Sequence, residues 1–426
     1  MQKISLDTIT KIEGHARLDV RVEKGEIKKV QVEVYEGARL FEGILKGRKY
    51  DDVHYLCSRI CGVCSQAHLI GALKAIEEAL GVEASEQTEF LRELLMIGQI
   101  IQSHSLHLYF LALPDYLGYD NAIDMASKYK EEVRRALKIK RLGNEICTVI
   151  GGREIHSITP VVGGFSKIPS NVEIDKLLKS LKETKEDAIE TVRLFENLNY
   201  EKFERKTEYV ALKREKCYAM MHGSVHSTEG LDIDHKFYDK YFYEYTTKYS
   251  TSKFVMLKGK SYMVGALARL NLNREYLLDE AKMMLRNSKF KFPNYSPYVN
   301  NFAQAIEILH LIERAIEILE NLKIKHEKPV DVKLREGRGI SATEVARGLL
   351  FHDYKLDEKG KVLKANILPP TTQNLKNIED DIMQILPKIL NRSEEEIKLE
   401  LEKLIRSYDP CISCSTHFLE LNLVRK

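Results

Sequence analysis

Two Cys-x-x-Cys pairs, one near each end of the chain, constrain the fold more than any other feature of the sequence. The first pair is Cys61 and Cys64, and the second is Cys411 and Cys414. Two such pairs can supply four thiolates to a soft metal ion. Because most of the chain lies between them, a site that uses all four must be closed by the overall fold and not by local sequence.

The spacing of the cysteines leaves several interpretations open. Structural zinc ribbons and fingers usually keep their two pairs within about 15–20 residues of each other, which weakens a zinc site without excluding it. A thioredoxin-like redox motif needs one pair beside a βαβ unit, and neither pair has that setting. The spacing alone therefore favours a metal site without identifying the metal.

The composition excludes several classes of protein. The 426 residues include 66 basic and 63 acidic side chains, and the net charge of +3 gives no electrostatic reason to bind nucleic acid or an anionic membrane. Hydrophobic residues make up 44% of the chain, which is typical of a folded protein with a core. Seven cysteines are too few for a disulfide scaffold.

Neither a secretory signal nor a membrane span is predicted. Residues 1–15 lack the apolar centre of a signal peptide. The most apolar stretch, 91–113, is interrupted by polar residues that include Gln102, Ser103 and His104. We therefore expect a cytoplasmic protein with no direct membrane span and no nucleic-acid partner.

Hydrophobic periodicity predicts a mainly α protein with small antiparallel β-sheets, an α+β fold. Alternating apolar residues predict a β-hairpin over 16–36, a strand over 330–334, and two more strands around a turn at 357–360. The helical period predicts helices over 65–81, 86–113, 173–198, 302–323 and 376–406.

No repeat, low-complexity tract or linker divides the chain, so we expect one large domain over 1–426. Its predicted regions are a β-hairpin region (1–50), a helical body (51–328), a small β region (329–370), a C-terminal helix with the metal-binding motif (371–417) and a tail (418–426).

The residues around the cysteines extend both pairs into longer motifs. Residues 59–68 read Arg-Ile-Cys-Gly-Val-Cys-Ser-Gln-Ala-His, and residues 409–417 read Asp-Pro-Cys-Ile-Ser-Cys-Ser-Thr-His. Both resemble the cysteine motifs of nickel–iron hydrogenase large subunits. Further matching blocks follow in family order, at 10–15, 41–48, 265–269, 346–352 and 370–374. The resemblance covers essentially the whole chain and implies that family's fold, with long buried helices around the metal site.

The resemblance implies a catalytic large subunit that cleaves H2 reversibly into protons and electrons. Cys61 and Cys411 would be terminal nickel ligands, whereas Cys64 and Cys414 would bridge nickel and iron. The iron would carry cyanide and carbon monoxide, which gives a Ni-Fe(CN)2(CO) cluster. His68 would donate a hydrogen bond to a ligand sulfur, although a buried core histidine is a close alternative.

Three charged residues acquire roles from the same resemblance. Glu13 would relay protons away from Cys411. Arg347 would lie over the open face of the cluster, and Asp409 would pair with it. Without the motifs, these residues would be interpreted as an exposed acid, a surface arginine and a turn residue.

The chain departs from the better-known uptake enzymes at two positions near Arg347. Ala346 stands where those enzymes have proline, and Ser103 stands where they have aspartate. Both features resemble the soluble cytoplasmic branch of the family, which includes bidirectional and sulfhydrogenase-like enzymes.

A hard-cation site, usually for magnesium, is also implied near the C-terminus. Glu42, His417 and the carbonyl of Ile367 would be its protein ligands, and water would complete the coordination. In many family members an endopeptidase removes the residues after that histidine, and by analogy 418–426 would be a tail that is either cleaved after His417 or retained.

An iron–sulfur small subunit is the main predicted partner. The remaining cysteines, Cys57, Cys147 and Cys217, are scattered and cannot hold an electron relay. The loose dinucleotide pattern at 337–342 lacks βαβ units, so any flavin or nicotinamide chemistry would belong to another electron-transfer subunit.

Two alternative functions accompany this hypothesis. One is a regulatory subunit that senses H2 with the same cofactor and signals to a protein partner. The other is a non-catalytic relative like the quinone-binding subunits of respiratory complex I, which lack the four cysteines that this chain retains.

Overall fold

Helices make up about half of the structure, a computed structural model that describes residues 2–417. The α-helices are α1 (Phe41–Leu45), α2 (Tyr50–Cys57), α3 (Ser65–Leu80), α4 (Glu86–Leu106), α5 (Leu113–Leu117), α6 (Ala122–Ala126), α7 (Lys130–Gly151), α8 (Asn171–Glu196), α9 (Ala266–Asn273), α10 (Asp279–Asn287), α11 (Asn300–Asn321), α12 (Pro370–Ile389), α13 (Glu394–Ser407) and α14 (Ile412–Ser415). A π-helix, His107–Ala112, joins α4 to α5.

The strands form several small sheets. They are β1 (Gln2–Leu6), β2 (Ala16–Glu23), β3 (Glu26–Val34), β4 (Pro160–Val161), β5 (Gly164–Phe165), β6 (Glu208–Lys213), β7 (Ser224–Ser227), β8 (Asp232–Ile233), β9 (Phe242–Thr247), β10 (Ser250–Leu257), β11 (Tyr262–Met263), β12 (Gly337–Val345), β13 (Gly348–Leu356) and β14 (Val362–Leu368). The sheet orders are β1-β2-β3, β4-β5, β10-β9, β11-β6-β7-β8 and β12-β13-β14. Pairing is antiparallel except between β11 and β6. The predicted α+β fold is confirmed.

Local sequence signals explain where the main helices begin and end. Ser170 and Ser393 each start a helix with a reciprocal capping box, with Glu173 and Glu396 respectively. Gly81 ends α3 at a φ of 65°, a conformation that glycine adopts without steric cost.

The helical core holds the site between α3, α4, α11 and α12. One large cluster of buried apolar side chains includes the four motif cysteines together with residues from all four of these helices. The three-stranded sheet β12-β13-β14 packs against α3. A second apolar cluster, built on β6, β9, β10 and β13, lies on the other side of that sheet. The site is therefore enclosed by rigid elements.

One sequence prediction about elements is wrong. Residues 330–334 form no strand: their alternation leaves Val330 and Leu334 exposed, and the next strand along the chain begins only at Gly337. The predicted helix over 86–113 is confirmed, but it contains the π-helical turn, which precedes Pro114 near the start of α5. Proline cannot donate the backbone hydrogen bond of a regular helix, so a local change of winding is expected there.

Other predictions are confirmed with adjusted limits. The hairpin becomes β2 and β3, and the turn at 357–360 joins β13 to β14. The helical prediction for 376–406 corresponds to two helices, α12 and α13. The region 51–328 also contains strands β4 to β11, in addition to its predicted helices.

Within residues 2–417, no helix combines the length and the apolar character needed to cross a membrane. The predicted tail 418–426 lies outside the described residues.

Candidate metal centre

The fold brings the four motif cysteines into one buried cluster. Their Sγ atoms all lie within 4.8 Å of one another. The Sγ–Sγ distance is 3.3 Å between Cys61 and Cys411, and 3.0 Å between Cys411 and Cys414. All four are at most 2% exposed and none forms a disulfide. Four converging soft donors in a dry site fit a thiolate-bound metal centre.

Short backbone elements position these thiols. Cys64 immediately precedes α3, and Cys411 immediately precedes the single turn α14. The backbone of Cys411 is fixed by its N–H, which donates to Thr371 Oγ1 at 2.9 Å. Arg39 Nη2 donates to the carbonyl oxygens of Ile60 and Ser413, each one residue before a motif cysteine. One guanidinium thus ties the two distant motifs together.

Glu13 lies against the C-terminal motif. Its carboxylate Oε2 is 3.2 Å from Cys411 Sγ and accepts the Ser413 N–H at 2.9 Å. Its carbonyl accepts the Ile412 N–H at 2.9 Å, so backbone and side chain are both held. The next residue, Gly14, has a φ of 84°, and a Cβ there would lie 2.6 Å from that of Ile412. Only glycine permits this close approach.

Arg347 contacts a different thiol of the cluster. Its Nη1 donates to Cys64 Sγ at 3.2 Å and to Ser103 Oγ at 3.2 Å. Its Nη2 donates to Asp409 Oδ1 at 2.8 Å, and Gln304 Nε2 donates to Asp409 Oδ2 at 3.2 Å. Arg347 Nε is buried without a protein partner among the described residues. One donor therefore stays available beside the thiols.

Charge interactions at the cluster favour a cationic arginine and an anionic sulfur. Burial works against the charge on Arg347, yet Asp409 and the thiols hold the pKa of this guanidinium well above its ordinary value. Hydrogen bonds from Cys411, and then from the other two thiols, lower the pKa of Cys64, and the charge of Arg347 lowers it further. The site is thus set up to bind metal through thiolate.

His68 is buried near the cluster, but the hydrogen bond described for its ring joins Nδ1 to His352 Nε2 at 3.2 Å. Burial, followed by the charges of neighbouring groups, lowers the pKa of His68 to about 3, so its ring is neutral. Its predicted hydrogen bond to a ligand sulfur stays a prediction.

The three predicted ligands of the hard cation also converge. His417 Nε2 lies 2.7 Å from the carbonyl oxygen of Ile367 and 3.6 Å from Glu42 Oε1. Glu42 Oε1 accepts the Ile367 N–H at 3.0 Å. Burial opposes the charge of Glu42, but His417 and Lys253 outweigh it and lower the pKa of this carboxyl. The Glu42 carboxylate, the Ile367 carbonyl and the His417 imidazole therefore lie next to one another in the protein interior.

The other cysteines have the properties of inert thiols. Burial raises the pKa of Cys57 to about 12, and its Sγ contacts the hydroxyl of Tyr354 at 3.2 Å. Burial also raises the pKa of Cys147. Cys217 is only half-buried, and its pKa is raised as well, chiefly by burial.

Sequence reasoning missed several residues that hold the site. Arg39, Gln304 and Thr371 contact the motifs directly, although none is a metal-ligand type in a recognisable spacing. Arg269 is a further case: it is fully buried, donates to the carbonyls of Val345 and Ala346, and so fixes the backbone before Arg347. Arg269 and Thr371 do lie in the matching blocks 265–269 and 370–374, which were the available signal, but the sequence analysis assigned no role to either residue.

A buried four-thiol cluster flanked by a carboxylate and a guanidinium defines the class: a thiolate metal centre equipped for proton and electron transfer. The family model described as nickel-dependent hydrogenase matches residues 39–138 and 193–417. The chain therefore belongs to the nickel-dependent hydrogenase family. It is an oxidoreductase that acts on H2, and the family together with the cysteine cluster supports a nickel–iron centre here.

Named relatives and solved structures agree with this assignment. The chain is 37% identical over 422 residues to the alpha subunit of sulfhydrogenase 1 of Pyrococcus furiosus, covering 98% of each chain. It is 32% identical to a vhu subunit of the F420-non-reducing hydrogenase of Methanocaldococcus jannaschii, covering 90% of this chain and 98% of that one. It superposes on an NAD+-reducing [NiFe]-hydrogenase in the H2-reduced state with a TM-score of 0.90 and 25% identity, covering 98% and 100% of the chains.

Proposed function

We propose that this chain cleaves H2 at the four-thiol cluster, with Glu13 moving the proton and Arg347 holding charge over the site. The observation that carries the proposal is that one cluster of thiols has a carboxylate at 3.2 Å from one sulfur and a guanidinium at 3.2 Å from another. These are the two kinds of group that heterolytic cleavage needs around a metal. The relatives are named as hydrogenases, and no observation favours a sensor.

The cysteines divide into two proposed kinds of ligand. Cys61 and Cys411 would each bind nickel alone, whereas Cys64 and Cys414 would bridge nickel and an iron that carries cyanide and carbon monoxide. When bound, this centre supplies the acceptor for the electron pair of the H–H bond. The unpartnered Nε of Arg347 is a donor that suits an anionic ligand of the iron.

Proton removal uses a thiolate first and a carboxylate second. The sulfur of Cys411 takes up the proton released from H2, and its S–H then donates to Glu13 Oε2 at hydrogen-bond distance. The Ser413 N–H stabilises the carboxylate between transfers. A relay works only within such reach, and here the two heavy atoms are already in place.

Arg347 acts through fixed charge. Asp409 and Ser103 hold its guanidinium against Cys64, so the cation does not need to reorganise when negative charge develops nearby. Ser103 provides a neutral contact where uptake enzymes have a carboxylate. Among the described residues, Asp409 is then the carboxylate that balances this arginine directly.

Glu42, Ile367 and His417 would bind a magnesium ion. In support, a lowered pKa keeps Glu42 anionic, and the Ile367 carbonyl and His417 ring lie beside it. A Glu42→Gln variant should retain nickel and lose most of its bound magnesium, because the anionic ligand is gone. Elemental analysis measures both metals in one sample, and unchanged magnesium would contradict the site.

The electrons would leave through an iron–sulfur small subunit. Two relatives are named as alpha subunits and one as a beta subunit of their hydrogenases, which supports a heteromeric complex here too. Further electron-transfer subunits that carry flavin or nicotinamide, and a cytoplasmic location, are part of the same proposal.

Turnover tests the proposed function. The purified complex should reduce a viologen dye under H2, and Cys411→Ser should abolish this activity because it removes both a metal ligand and the first proton acceptor. Cys217→Ser, at a half-buried thiol outside the cluster, is the matched control and should stay active. A Cys411→Ser complex with parental activity would refute the assignment.

A further inference from the structure

The π-helix places one histidine beside the residues that hold Asp409. π-helical turns are rare and occur mostly at functional sites. His107, the first residue of this turn, is 1% exposed. Its Nε2 lies 2.7 Å from the carbonyl oxygen of Arg406, and its Nδ1 lies 2.6 Å from Gln304 Oε1. Both ring nitrogens are therefore engaged by groups of the C-terminal half.

Both contacts lead to Asp409. The contact at Nδ1 reaches Asp409 through Gln304, whose Nε2 donates to Asp409 Oδ2 at 3.2 Å. The carbonyl of Arg406 provides the second, since it also accepts the Asp409 N–H at 2.8 Å. Asp409 has a φ of 51°, which is strained for a residue with a side chain and needs support from its surroundings. The ring thus holds the backbone and the carboxylate of one strained residue.

The partners of the two ring nitrogens show which of them donates a hydrogen bond. The carbonyl of Arg406 can only accept, so Nε2 must carry a proton. The amide group of Gln304 faces Asp409 with its nitrogen, Nε2, which donates to Asp409 Oδ2. Oxygen of that amide then faces Nδ1, which must carry a proton too. If the amide group of Gln304 were rotated by half a turn, its oxygen would face Asp409 Oδ2, and two hydrogen-bond acceptors would then lie side by side.

We propose that His107 is a positioning residue, which donates from both ring nitrogens and so holds Asp409 and thereby Arg347 over Cys64. The proposal rests on the role proposed above for Arg347. The Arg406 carbonyl belongs to the last turn of α13, where the helix dipole favours a cation. The charged groups facing this network are Asp409, reached through Gln304, and Arg406, whose guanidinium is paired with Asp115.

The protonation is tested on the intact complex labelled with 15N-histidine. The expected result is two N–H signals from His107, identified by their absence in His107→Phe. One protonated and one bare nitrogen would overturn the proposal. This measurement does not depend on turnover, so a failure of the proposed function is distinguishable from a failure of this inference.

The positioning role is tested by combining variants. His107→Phe should lower H2-dependent viologen reduction by about tenfold to hundredfold with nickel content unchanged, because small displacements at a catalytic centre have effects of that size. His107→Asn keeps a donor toward Gln304 and should recover part of the rate. In an Arg347→Lys background His107→Phe should cause little further loss, since both act through one contact.

A matched control separates this role from the general loss of a buried histidine. His310 is also buried, but its Nδ1 accepts the Leu278 N–H, away from Asp409. His310→Asn should leave the rate within about twofold of the parent because it breaks no contact of this network. Independent, multiplying losses for His107→Phe and Arg347→Lys would overturn the positioning role.

Discussion

At the scale of single residues, the site depends on two charged side chains that contact different thiols of the cluster. Glu13 arrives from the N-terminal segment, and Arg347 from the turn between β12 and β13. Each is held by at least one further contact, Glu13 by the Ser413 N–H and Arg347 by Asp409. Contacts within the protein therefore fix the positions of both side chains.

Replacing Glu13 should separate proton transfer from metal binding. Glu13→Gln keeps the shape of the side chain and removes the proton acceptor, so we expect turnover to fall by about 10²–10⁴-fold. Nickel content should not change, because this glutamate is a proton carrier and not a proposed ligand. Glu13→Asp, which keeps the carboxylate at a shorter reach, should lose less.

Hydrogen–deuterium exchange under D2 is the measurement that checks this loss most directly, since it follows the proton alone. If Glu13→Gln exchanges at the parental rate, protons leave the cluster by another path.

The residues that sequence could predict are those that belong to the motifs. The four cysteines, Glu13, Arg347 and Asp409 all meet at one place, as the resemblance implied. Other residues, Arg39, Gln304 and His107, act through backbone carbonyls and side-chain amides, and such contacts leave no spacing pattern in a sequence. They become visible only when the distant segments are seen together.

At the scale of elements, one buried ion pair joins the helix that follows the first cysteine motif to its neighbour. Arg92 on α4 donates to both carboxylate oxygens of Glu77 on α3, at 2.5 and 2.7 Å. Glu77 also accepts the Gly163 N–H at 2.7 Å. The pair is almost completely buried, so either charge alone would lack solvation.

Arg92→Met should destabilise the chain by about 3–5 kcal/mol, because it leaves the Glu77 carboxylate buried and unpaired. The double variant Arg92→Met with Glu77→Met removes the uncompensated charge and should recover much of this loss. Denaturant unfolding of the single and double variants measures the difference, and a double variant no more stable than Arg92→Met alone would contradict the argument.

Periodicity predicted regular elements well and irregular ones badly. The helices α3, α8 and α11 were predictable because their apolar residues repeat on one face and α8 also has a capping signal. The π-helix was not, since the same apolar run continues through it and winding is decided by packing and by Pro114. Residues 330–334 had a strand pattern without a neighbouring strand to pair with.

At the scale of the whole molecule, the chain brings its two ends to one site. Glu13 and Cys411 form a parallel β-bridge, and Arg406 donates to the carbonyl and hydroxyl of Thr10. The metal centre therefore depends on residues from both the N-terminal and the C-terminal motifs. The class of fold was predictable from the order of the motifs, whereas the closure itself required the structure.

The metal content of the purified complex tests the nickel–iron centre most directly. Four convergent thiolates of this family should hold about one nickel atom per chain together with iron, and Cys411→Ala should lose the nickel. Cys147→Ala, which removes a buried thiol outside the cluster, should keep it. The predicted result is that the parent contains nickel and iron, whereas Cys411→Ala lacks nickel. Zinc alone at the four cysteines would contradict the assignment.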